Sequence, residues 1–95
     1  MAIKRQALVR LYADRVVIAI GPIDEGTHVL AHDVVKYLHE QLRDQGLGFS
    51  PRREMSGHVY TAFACTDPAR AGELAEEYLR KAGCVLVPRP PRAEA

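Results

Sequence analysis

Four histidines are the first residues whose placement could do chemistry. His28, His32 and His39 fall in one stretch with a helical apolar period. At about 100° per residue they form one stripe, with His32 about 40° and His39 about 20° around from His28. The i, i+4 spacing of His28 and His32 is the one by which a helix presents two imidazoles to a metal. Glu25 and Lys36 flank the stripe, and no HExxH or CxxC supplies a third ligand. Half-exposed histidines bordering a core face are therefore favoured, and no metal or other cofactor is expected. His58 and Tyr60 lie two apart in a segment that reads as a strand, so both side chains leave the same face. Such a pair could serve as general acid and base in a cavity. No nucleophile and no paired carboxylates converge on them, which favours a surface histidine beside an interfacial tyrosine.

Two basic groups offer a different chemistry. Lys4 and Arg5, with Arg10 after them, lie on or just before the first strand; Arg52 and Arg53 follow Phe49. Arginines near an aromatic ring suit single-stranded nucleic acid, through phosphate contact and stacking. Lys+Arg total 13 against 12 for Asp+Glu, a formal net charge of +1. That balance argues against a phosphate-driven binder, and solvated charges are favoured. Cys65 and Cys84 are too few for a disulfide framework and read as small buried hydrophobes in a reducing, cytoplasmic setting. The segment Gly21-Pro22-Ile23-Asp24-Glu25-Gly26 joins a strand to a helix, but its two acids would repel a phosphate there. It reads as a stiff turn and a cap.

The elements that must position these residues follow from periodicity and breakers. Residues 6–12 form a first strand and the β-branched run 16–20 a second, covered on its faces and stopped by Gly21-Pro22. A helix capped by Asp24 or Thr27 carries Leu30, Ala31, Val34, Leu38 and Leu42 on one stripe, running to about Gln45 with Gly46 beyond it. Residues 47–54 contain Pro51 and form at most an edge strand. Residues 58–65 alternate as a strand, with Val59, Thr61, Phe63 and Cys65 on one side and Tyr60, Ala62 and Ala64 on the other. A second helix opens at Pro68 after Thr66 or Asp67 and ends at Gly83. Its stripe is Ala71, Leu74, Ala75, Tyr78, Leu79 and Ala82. Residues 84–87 are the last strand.

The order is β-β-α-β-β-α-β, an α+β two-layer sandwich. Without its first strand it resembles the ferredoxin-like βαββαβ order, an antiparallel sheet with two helices on one face. Residues 1–87 read as a single domain, and 88–95 as a mobile proline-rich tail. No run approaches the roughly 18 apolar residues of a membrane span, so no membrane partner is expected. The sheet face away from the helices presents Tyr60, Ala62 and Ala64, mostly small and apolar, and such a face often meets a second subunit. The favoured function is a non-enzymatic binding or regulatory module acting through protein contact, as a homodimer. A nucleic-acid-binding domain using Lys4, Arg5, Phe49, Arg52 and Arg53 is the second reading. A small dimeric cavity enzyme using His58 and Tyr60 is the third.

Overall fold

The computed structural model of the chain describes residues 4–43 and 52–87. Gly46, Phe49 and Pro51, like the proline-rich segment 88–95, lie outside the described residues. The elements are β1 (Gln6–Leu11), β2 (Arg15–Gly21), α1 (Glu25–Gln41), β3 (Arg53–Met55), β4 (His58–Ala64), α2 (Pro68–Lys81) and β5 (Val85–Leu86). The element order expected from periodicity is the observed one. No helix among the described residues is long and apolar enough to cross a membrane.

Local chemistry explains most boundaries. The Asp24 carboxylate accepts the Thr27 backbone N–H at 2.7 Å and starts α1. This helix ends at Gln41, short of the expected Gln45. Its apolar stripe stops at Leu42, and Arg43-Asp44-Gln45 offers nothing more to bury. Asp67 accepts the Arg70 N–H at 3.2 Å, with Pro68 in the first turn of α2. At the far end Gly83 takes φ 91°. Its N–H reaches the Arg80 carbonyl, and Cys84 N–H reaches Leu79. These two bonds form a Schellman cap, whose positive φ suits glycine. The β3–β4 turn is Ser56-Gly57 with φ 52° and 77°, the hand that matches strand twist in a two-residue hairpin.

The sheet has five strands in the order β3-β4-β2-β1-β5. Here the expectation of an antiparallel sheet is corrected. β1 pairs antiparallel with β2, while β5 pairs parallel with β1, so the sheet is mixed. The cause is the short β1–β2 turn, closed by Tyr12 N–H donating to the Arg15 carbonyl. That hairpin places β1 on the edge of β2 away from β4, and β5 pairs beyond it. The crossover through α2 returns β5 in the direction of β4, antiparallel to β2 and therefore parallel to β1.

Both helices pack on one face of the sheet. Val9, Val16, Ile18, Val59 and Phe63 meet Ala31, Val34 and Leu38 of α1 and Ala71, Ala75 and Leu79 of α2 in one buried cluster. A Cβ at Gly72 would stand 2.5 Å from Leu11 Cδ2, so α2 lies with its backbone close on β1. Tyr37 and Tyr78 stack between the helices with ring centroids 4.9 Å apart. Leu79 has no exposed surface. Leu79→Ala is expected to cost about 2–5 kcal/mol in denaturant unfolding. Val29→Ala, on the outside of α1, should change stability by less than about 0.5 kcal/mol. Equal effects at the two positions would mean that the α2 stripe does not face the sheet.

Candidate functional site

Alternation along β4 divides the sheet into two environments. Val59, Thr61 and Phe63 are buried under the helices, whereas His58, Tyr60, Ala62 and Ala64 are half-buried on the opposite side. The register carries this division across the strands. One row of the open face runs Leu8, Ala19, Tyr60, Arg53, and the next runs Arg10, Val17, Ala62. A third holds Gln6, Gly21, His58 and Met55, with Val85 beside Gln6. Small residues take the centre of this face, with Ala19 and Gly21 buried and Ala62 and Ala64 half-buried beside Tyr60 and His58. Gly21 has a steric reason, since a Cβ there would lie 2.8 Å from His58 Cδ2.

The polar groups of this face are fixed by their neighbours. His58 Nδ1–H donates to the Ser56 carbonyl at 2.9 Å. The His58 and Tyr60 ring centroids are 6.3 Å apart, in edge orientation. At one end of the face the Arg15 guanidinium stacks 4.9 Å over the Tyr12 ring. Arg10 and Arg53 stand at opposite sides of the face. No carboxylate occupies an open-face register position among the described residues. Asp14 in the β1–β2 turn is the sequence neighbour of Arg15 and pairs with it at 3.1 Å. Glu54 lies between Arg53 and Met55, but its side chain takes the other side of β3, where its Oε2 accepts from His28 Nε2 at 2.6 Å.

The residues expected to do chemistry separate accordingly. His28 is joined to Glu54, His32 is exposed, and His39 sits edge-on to Phe63 at 4.8 Å. The three do not act together, and no group of three metal-binding side chains occurs among the described residues. Cys65 and Cys84 are buried free thiols. Burial pushes both up from the ordinary thiol range, which keeps them protonated and poorly nucleophilic. Tyr60, Ala62 and Ala64 share the open face, as their alternation implied. Lys4 and Arg52 are exposed, Arg53 sits opposite Tyr60, and Phe49 lies outside the described residues.

Arg5 has structural work. Its Nε–H donates to Thr27 Oγ1 at 2.9 Å and its Nη2 to Asp24 Oδ1 at 3.0 Å. The Thr27 hydroxyl donates onward to the Pro22 carbonyl at 2.6 Å. The Arg5 carbonyl accepts Val85 N–H, tying β5 to the same place. A Cβ on Gly26 would collide with the Arg5 guanidinium. Arg10 and Arg15 are the β1 and β2 cations of the open face; charge clustering groups Arg10 with Lys4 and Arg5 and does not single out Arg15. Strand parity is the signal that finds them, because Arg10 shares a face with Leu8 and Arg15 with Val17. In comparisons with known proteins, no family model, no curated protein and no solved structure matches this chain.

The Thr27 N–H, and after it Arg5, hold the Asp24 carboxyl below the usual carboxylate range. A depressed folded pKa adds stability above the unfolded value near about 4, and that stability is lost as pH falls through the folded value. Asp24→Ala should therefore melt several degrees below the parent at neutral pH. The gap should narrow steadily below about pH 4. A gap unchanged down to strongly acid pH, followed by circular dichroism, would remove the charged cap from this account.

Proposed function

We propose that this protein is a non-enzymatic binding module that takes its partner on the open face of the sheet. The observation that carries the proposal is the placement of exposed apolar side chains. Met55 and Val85 stand on open-face positions, and continuing the β1–β5 register puts Val87 beside Leu8 on the same side. Tyr12 joins them through its contact with Arg15. Together with half-buried Leu8, Val17, Tyr60, Ala62 and Ala64 they line one continuous surface, and a small monomer rarely leaves a large contiguous apolar surface unused.

The finer fold reading supports this. Taking β1 out of the strand order leaves β3-β4-β2-β5, the order of a ferredoxin-like split βαβ pair, in which one face carries the helices and the other is open. His58 and Tyr60 lie on a flat surface, whereas acid–base catalysis gains most in a site that excludes water. That favours binding over the cavity-enzyme alternative. Two buried thiols suit a reducing, cytoplasmic setting. Self-association through this face is the homodimer reading. It would bring the arginines of one copy to a face whose described register positions hold no acid, and like charges across an interface are costly.

A photo-crosslinking amino acid placed at Ala62, and in a second strain at Ala69 on the outside of α2, tests the proposal in the native host. Specific adducts are expected from position 62 and not from 69. Adducts only from 69, or equal labelling from both, would move the binding surface off the sheet.

A further inference from the structure

We infer that the occupant of the open face is single-stranded nucleic acid, an inference that rests on the binding-face reading above. Three features of the surface converge on that chemistry. Among the described residues its register positions hold Arg10, Arg15 and Arg53 and no acid, and Asp14 in the adjoining turn is paired with Arg15. The arginines stand at both margins. Three strand spacings separate the β1 position of Arg10 from the β3 position of Arg53, about 14 Å across the sheet. A polyanion crossing the strands would meet a guanidinium on each side, the group best suited to phosphate.

Between those margins lies a surface suited to planar rings. The His58 ring lies against buried Gly21, and Tyr60 stands beside it and next to half-buried Ala62 and Ala64. Bases freed from a duplex stack on such side chains with little dependence on sequence. Arg15 already stacks on Tyr12, so a guanidinium and a ring are presented together at the end of the face. An acidic peptide would use the arginines but not the Tyr60 and His58 rings, and a second copy of the chain would bring further arginines. A stacked, phosphate-bearing strand uses both features.

The overall charge balance does not oppose this, because charge is divided between the layers. On α1 Glu25, Asp33 and Glu40 outnumber Lys36, while on α2 Glu73, Glu76 and Glu77 are matched by Arg70, Arg80 and Lys81. These acids decorate the helical layer, on the far side of the sheet from the arginines.

Fluorescence anisotropy with labelled oligo-dT and oligo-U of about 12 nucleotides tests the inference. Binding is expected at about 50 mM salt, with a slope of log K against log salt near about −2 for three phosphate contacts on a single strand. Arg10→Gln combined with Arg53→Gln should weaken binding more than about tenfold and bring the slope towards about −0.7. Tyr60→Ala should weaken it about tenfold, while Tyr60→Phe, which keeps the ring, should stay within about twofold. The pair Arg70→Gln and Lys81→Gln on α2 should leave it unchanged. Circular dichroism confirms that each variant is folded, and the exposed arginine pair decides the matter if Tyr60→Ala is not. Kd weaker than about 100 µM at the low-salt condition would overturn the inference. So would equal loss in the α2 pair, or a duplex bound as tightly as the single strand. If oligonucleotides fail while position 62 still crosslinks to a protein or to a second copy, the binding face stands and the occupant is that protein. If position 62 yields no specific adduct either, both readings fall together.

Discussion

Strand β2 is hydrogen-bonded on both edges and apolar on both faces, yet only one of those faces meets a helix. Val16, Ile18 and Ile20 point into the buried layer, and Val17 and Ala19 point out of it. Two crossovers leave this sheet, one through α1 and one through α2, and both turn to the same side. The two crossovers join parallel strand pairs, β2 with β3 and β4 with β5, that run in opposite directions, and crossovers of one hand then place both helices together. All the helical cover is spent on one side. The opposite side then depends on neighbouring strands for what shelter it has. Ala19 is sheltered there because Leu8 and Tyr60 flank it in the same row.

A second consequence concerns charge. Near-zero net charge is a statement about the whole chain, whereas a ligand responds to the potential near it. Packed layers are about 10 Å apart. The Debye length at physiological salt is about 8 Å. Acids on the outside of the helices lie further still from the open face, so their influence there is largely screened. Residues on the face itself decide what approaches it. Strand parity imposes this separation without any long-range design. Glu54 and Arg53 are adjacent in sequence, yet one pairs with His28 under α1 and the other stands beside Tyr60.

The element order was legible in the sequence because its signals are local. Alternation over 58–65, a 3.6-residue stripe over 71–82, and caps at Asp24, Asp67 and Gly83 each need only a few neighbouring residues. The place of β1 was less legible. Nothing in residues 6–12 states which edge of β2 they will occupy, and that choice, made by a short turn, displaced β5 and made the sheet mixed. The site was legible in the same uneven way. Tyr60, Ala62 and Ala64 were grouped correctly by parity, since they belong to one strand. Arg10 was grouped with Lys4 and Arg5 by nearness in sequence, and register across strands regroups it with Val17 and Ala62. The histidine stripe shows the limit of angular arguments on a helix. His28 and His39 share a direction, but three turns of rise separate a partner on β3 from a partner on β4.

Arg5 shows why that regrouping matters for the site. In a tally of basic residues it belongs with the ligand-binding candidates, and in the fold it faces the helical layer, opposite in parity to Arg10. There it bridges Thr27 and the capping carboxylate of Asp24, while its own carbonyl receives β5. A cation at a helix N-terminus opposes the helix dipole, and the anionic cap between them offsets that repulsion. Glycine at position 26 leaves the room that the guanidinium needs. The start of β1 is thereby fastened to α1 on one side and to β5 on the other. β1 in turn contributes Leu8 and Arg10 to the open face and widens it by one strand. A basic residue turned toward the helical layer thus governs where the neighbouring basic residue can stand. Removing its charge would act on the face through the position of the strand, not through the potential above it.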